Sequence, residues 1–183
     1  SRAAHQPIQE TFLKRAAKKE LRWCVTQYPT NASAQDAEMS LEDYEEFIFQ
    51  AAHVFEENPI NYWKKTYKKQ EKIKNFLKTK EKLQVIASDT DLTLSIKDRE
   101  WINCYGKENF PDGEIFTGPV ENSAEGFISY SFPAVHGGRL ADNIKLWFKK
   151  GRVIKSKASQ GESFLKSMLN MDKGSSRIGE FAF

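Results

Sequence analysis

Apolar residues recur at helical spacing through the first 80 residues, and short strand-like runs follow. Residues 8–20 place Phe12, Leu13 and Ala16 on one side and predict a short helix. Residues 23–26 predict a strand, stopped by Tyr28-Pro29. The small polar run 30–35 predicts a loop. Ser40-Leu41-Glu42-Asp43 has the form of a capping box, with Asp where Glu is usual. After it, Leu41, Tyr44, Phe47, Ile48, Ala51 and Phe55 keep helical spacing as far as Asn58-Pro59. A second long helix is predicted over 60–82. Tyr62, Trp63, Thr66, Ile73 and Leu77 form its apolar stripe, and lysines crowd the opposite face.

From residue 83 onward the texture changes. Strands are predicted at 83–87, 92–96, 101–105, 114–117, 126–132, 144–148 and 153–158. Lys97-Asp98, Pro111-Asp112-Gly113, Gly137-Gly138 and Lys150-Gly151 supply the turns between them. Ile144, Leu146 and Phe148 alternate as a half-buried antiparallel strand does. Residues 161–170 predict a helix with Phe164, Leu165, Met168 and Leu169 inward. The expected fold is α+β: a helical N-terminal part, then a mainly antiparallel β-sheet domain with one or two helices. The boundary is placed near residue 80, dividing the chain into 1–80 and 81–183.

Composition narrows the function. The chain has 183 residues, 13 Phe and 4 Trp, and a net charge of +3, which suits a folded core rather than disorder. No stretch reaches the 18 or so apolar residues a membrane helix needs. The opening SRAAHQPIQE has no apolar signal-peptide region. Cys24 and Cys104 form no CxxC pair, and the three His lie far apart without an HExxH motif. A P-loop and GxGxxG are also missing. The expected compartment is the reducing cytoplasm. The first residue is Ser and the last residues read as a strand entering a core, so a piece of something longer is expected.

Four features could carry chemistry. Nine Lys lie between Lys64 and Lys82, against Glu71 and Glu81 only. Such a face is either solvated or a contact for an anionic partner, and helix 62–82 therefore supports the alternative of a non-catalytic binding module. His136 beside Gly137-Gly138 reads as an exposed turn residue, and Cys24 and Cys104 read as buried small hydrophobes. Glu114 opens a strand after the Pro-Asp-Gly turn, either as an exposed acid or as a rigidly held ligand. Glu180 sits in the apolar run RIGEFA. A carboxylate there must pair, with Arg177 as the nearby partner, take up a proton, or bind a cation.

Several segments together resemble the thermophilic metalloaminopeptidase family (M29-type). They are Trp23…Tyr28-Pro29-Thr30 with Ala34-Gln35, Thr90-Asp91-Leu92, Asn109 to Thr117 (NFPDGEIFT) with Pro119, Glu125-Gly126, and Arg177-Ile178-Gly179-Glu180. They occur in the family's order over nearly the whole chain. Glu180 follows Glu114 by 66 positions, close to the family's interval. The resemblance implies an exopeptidase that hydrolyses N-terminal residues from peptides with water activated by two divalent ions. Zn, Co and Mn all accept such sites. It implies that Glu114 and Glu180 are metal ligands and that further His, Tyr and Asp ligands lie beyond residue 183. The chain itself would then be an inactive fragment. Residues 1–80 would be the tail of an N-terminal α/β domain, and 81–183 the first part of the metal-binding domain. A homodimer is expected for the full-length protein, with peptide as substrate and neither nucleic acid nor membrane as partner.

Overall fold

The computed structural model describes the backbone of residues 2–183 and the side chains of residues 5–183. In chain order the elements begin α1 (Arg2–Ala17), β1 (Val25–Thr26), α2 (Asn31–Asp36), α3 (Leu41–Ala51) and α4 (Pro59–Leu77). There follow β2 (Lys82–Ala87), β3 (Thr90–Ser95), β4 (Ile102–Asn103), β5 (Asn109–Phe110), β6 (Ile115–Thr117) and β7 (Glu125–Tyr130). The last are β8 (Ala134–His136), β9 (Arg139–Ala141), β10 (Ile144–Lys149), β11 (Arg152–Lys157), α5 (Glu162–Leu169) and β12 (Phe181–Ala182). The α+β expectation holds, with mostly antiparallel pairing. The chain forms two compact units. One comprises residues 1–70 with 103–114, and the other 71–102 with 115–183.

In the first unit, local capping sets the helices. Residues 30–35, expected as a loop, form α2 instead. The Thr30 hydroxyl accepts from the Ser33 N–H at 3.1 Å, so the small polar residues that suit a loop here start a helix. Ser40 caps α3 by accepting from the Asp43 N–H at 3.0 Å. Its hydroxyl also donates to the Asp43 carboxylate at 2.6 Å, so the shorter acid meets the cap side chain to side chain. Asn58 starts α4 by accepting from the Asn61 N–H at 2.9 Å, with Pro59 in the first helical position. Trp63 donates its indole N–H to the Ala52 carbonyl at 3.0 Å and lies 5.5 Å from the Phe110 ring. Cys24, expected buried, is exposed, as are both residues of the adjoining β1, whose partner among the described residues is the two-residue β5.

The second unit is built on a five-stranded antiparallel sheet of order β11-β10-β7-β3-β2. Leu92 and Leu94 of β3, Phe148 of β10, Ile96, Trp101 and Ile115 form its buried core. β12 pairs antiparallel with β6, placing Phe181 opposite Thr117. The expected strand 101–105 is cut to Ile102–Asn103, and Trp101 packs into the core as a fully buried side chain instead. Gly137 and Gly138, both at positive φ, make the two-residue turn of the β8–β9 hairpin. His136 on that hairpin is exposed, as its turn context implied.

Candidate metal centre

Glu114 stands at the end of a short, heavily braced loop in the first unit. The chain leaves β5 through a cis Phe110-Pro111 bond, and Gly113 takes a φ of +138 that favours glycine. Asp112 holds this bend with both oxygens. Oδ2 accepts from the Gly106 N–H at 3.1 Å and Oδ1 from the Gly113 N–H at 3.0 Å. Gln70, projecting from α4 and only 5% exposed, donates its amide N–H groups to the carbonyls of Cys104 (3.0 Å) and Glu114 (2.9 Å). The Glu114 carbonyl also accepts from the Cys104 N–H at 2.9 Å. One buried amide therefore ties the two chain segments that carry Cys104 and Glu114.

These bonds bring together three groups of metal-ligating type. Cys104 Sγ and carboxylate oxygens of Asp112 and Glu114 all lie within 4.8 Å of one another, each residue half-buried. Two carboxylates at such range repel when both are ionised, and a cation between them removes that cost. Oxygen donors with one sulfur suit a borderline divalent ion. The Gln70 Oε1 is buried without a hydrogen-bond partner, so the site also holds an unused acceptor close to the carbonyls the same amide grips. Sequence reading singled out Glu114 alone. Cys104 and Asp112 needed the loop's closure, and Gln70 left only a faint signal: a polar residue four positions after Thr66 on the buried stripe of α4.

Glu180 belongs to the second unit and differs from its sequence expectation. Its carboxylate is exposed, immediately before β12. Arg177, the expected partner, donates to the Glu121 carbonyl instead, and Glu180 has no ion pair among the described residues. The strand it precedes is only two residues long, so the apolar run does not enclose it. The lysines of α4 are exposed apart from Lys74, which pairs with Glu71 at 3.3 Å. Among the described residues no helix is long and apolar enough to cross a membrane.

Comparison with known proteins places these observations in a family. The thermophilic metalloprotease (M29) family matches residues 1–183. Aminopeptidase AmpS of Bacillus subtilis (strain 168) is 32% identical over 148 residues, covering 75% of this chain and 36% of that protein. Aminopeptidase PepS of Streptococcus thermophilus is 30% identical over 178 residues, covering 91% of this chain and 42% of that protein. Among solved structures, wild-type AmpT from Thermus thermophilus superposes with a TM-score of 0.68 at 25% identity, covering 78% of this chain and 38% of that one. A 2,5-dihydroxypyridine dioxygenase from Pseudomonas putida KT2440 has a TM-score of 0.55 at 18% identity over 64% of this chain and 38% of that one, a likeness of fold alone. This chain thus spans about two-fifths of the length of the curated aminopeptidases it matches. With its braced Glu114 loop and a match from first residue to last, the chain belongs to the thermophilic metalloprotease family M29.

Proposed function

We propose that this chain carries the first part of the active centre of a metal-dependent aminopeptidase that removes N-terminal residues from peptides. The observation that carries the reading is the meeting of Cys104, Asp112 and Glu114 at one rigid bend, inside a chain whose relatives are aminopeptidases. Glu114 and Glu180 are the two ligands assigned to this chain, each through its carboxylate. Divalent ions of the Zn, Co or Mn kind, two in number in this reading, would supply a polarised peptide carbonyl and an acidified water at neutral pH. The protein's own share is positional. Gln70 fixes the backbone on which Glu114 is mounted, and Asp112 holds the turn that aims it. Residues 1–80 are read as the tail of an α/β domain and 81–183 as the start of the metal-binding domain. The full-length enzyme is proposed to be a cytoplasmic homodimer.

The test is made on the full-length protein. Glu114→Gln and Glu180→Gln are each expected to lower turnover of a leucine anilide by more than about 100-fold and to reduce bound metal measured by elemental analysis. Unchanged turnover in either variant removes that residue from the centre. The 183-residue chain alone is expected to show no turnover, since Glu114 and Glu180, the two ligands assigned to it, leave most coordination positions of two ions to water. Anilide hydrolysis by this chain at ordinary enzyme rates would overturn that part of the proposal.

A further inference from the structure

The lysine-rich helix is the loudest charge signal in the sequence, but the more organised basic surface lies on the sheet of the second unit. Between Asn143 and Gly161 the chain carries Lys145, Lys149, Lys150, Arg152, Lys155 and Lys157, and no acid. The β10–β11 register sets Lys145 opposite Lys157, Trp147 opposite Lys155, and Lys149 opposite Arg152. Leu146, Phe148 and Val153 pack against the core, so these paired cations share the outer face with Trp147. β7 adds Phe127 opposite Trp147 on the same face. The Lys145 ammonium lies 4.9 Å from the Phe127 ring and 5.6 Å from the Trp147 ring, and that of Lys155 lies 4.6 Å from Trp147.

Like charges directly opposite each other on a sheet are destabilising. Lysines on an edge strand are explained as a guard against aggregation, which covers Lys155 and Lys157 on β11. It does not cover Lys145 and Lys149, because β10 is an inner strand with β7 on its other side. Nor do local acids neutralise the face. Lys145 pairs with Asp89 at 2.9 Å, whereas Lys149, Arg152, Lys155 and Lys157 have no ion pair among the described residues. Of the other acids near this face, Asp91 accepts from Gln84 and Glu125 from the Lys150 N–H, while Glu162 pairs with Lys166. At the Lys145–Lys157 end the sheet opens into a cavity of about 740 Å³, whose lining includes Ser129, Tyr130, Ser131 and Asn143 together with one acid, Asp89, the partner of Lys145.

We propose that this outer sheet face binds single-stranded nucleic acid. Phosphates are held by the Lys145–Lys157 and Lys149–Arg152 rows and the cavity, and bases stack on Trp147 and Phe127. Rows of cations around a central aromatic pair are the arrangement that sequence-tolerant single-strand binding needs. The lysines now resting over the rings move to phosphates and free the ring faces. Two competing partners fit less well. A membrane surface calls for a cluster of apolar side chains that stand proud; both rings are half-buried, and in their cross-strand row Ile86 alone protrudes, at 74% exposed, beside the charged Asp91. An acidic polypeptide uses the cations but leaves the ring faces without a stacking partner. The proposal is independent of the peptidase reading and reverses the expectation of no nucleic-acid partner.

The experiment is fluorescence anisotropy of a labelled deoxythymidine oligomer of about 20 nucleotides, titrated with the 183-residue chain over a range of salt. Binding that weakens log-linearly with salt is expected. The pair Lys155→Gln with Lys157→Gln is expected to weaken it by about tenfold or more and to flatten the salt slope. Trp147→Leu is expected to weaken it with the slope retained, because that variant removes stacking and no charge. Lys64→Gln with Lys68→Gln on α4 is expected to leave it unchanged. Far-UV circular dichroism and urea midpoints establish that each variant is folded. The proposal is overturned by no binding up to about 100 µM at low salt, or by equal loss in the α4 variant. Displacement by polyglutamate as effective as by unlabelled oligomer overturns it in favour of an acidic polypeptide. Capture by anionic vesicles without oligomer binding overturns it in favour of a membrane.

Discussion

Gln70 shows how much of the candidate centre depends on single side chains. Its amide bonds two carbonyls, 34 and 44 positions away in sequence, while it is itself 5% exposed. Gln70→Leu leaves two half-buried carbonyls without that donor and is expected to cost about 1–3 kcal/mol in urea denaturation. Gln70→Glu at neutral pH sets a carboxylate against those same carbonyls and is expected to cost at least as much. A near-neutral result for both would show that the amide does not brace the loop. Gly126 has a φ of +109, and a Cβ there would collide with the Asp91 carbonyl oxygen of the neighbouring strand. Gly126→Ala is therefore expected to destabilise the second unit by at least about 2 kcal/mol in the same assay. At this scale the sequence marked Glu114 through its Pro-Asp-Gly context, because turn chemistry is local. It did not mark Gln70 or Cys104, whose roles come from bonds between distant segments.

Elements were legible where capping and periodicity agreed. Ser40 and Asp43 announced the start of α3, and Ser40 does accept the Asp43 N–H. Ser40→Ala is expected to lower stability by about 1 kcal/mol, read from the urea midpoint, and Ser40→Gly by only a few tenths. The α2 segment was misread because Thr, Asn and Ser favour caps and loops alike. The Thr30 bond to Ser33, the backbone bond from Ala34 N–H to the Thr30 carbonyl and the burial of Ala34 decide for the helix. The β10 strand was expected over 144–148 from its alternation and is found at Ile144–Lys149. What alternation could not say is which strand lies beside it. The pairing with β11 aligns the cations into rows, and the pairing with β7 sets Phe127 beside Trp147. Strand neighbours are chosen by long-range packing, which a period of two does not encode.

For the whole molecule, carboxylates whose ionised form is held by neighbouring donors contribute to stability that acid removes. The Ser175 hydroxyl, with the Ser175 and Gly174 N–H groups, holds Asp172 below the ordinary 3.8. Its own backbone N–H and then the Arg99 guanidinium hold Glu121 below 4.5. Depressed folded-state values mean that the unfolded chain binds more protons in acid. The stability these groups add is complete above their unfolded values and is lost as pH falls through the folded ones. The melting temperature is therefore expected to hold from pH 7 to about 5 and to fall below about 4.5. Arg99→Gln should make that fall smaller, and an acid limb identical to the parent's would remove the Arg99–Glu121 pair from the account. The fold alone does not choose the chemistry, since a dioxygenase and an aminopeptidase both share it. Family membership and the α+β class were determined by the sequence itself. Both are written in local patterns: turn residues, a capping pair, apolar period and an ordered set of short motifs. Tertiary structure alone decided that Cys104 and Asp112 stand beside Glu114, that Glu180 is exposed rather than enclosed, and that scattered lysines become a paired basic face. Each of these depends on how a loop closes, how far a strand extends or which strands pair, and only packing and hydrogen bonding across the folded chain settle that.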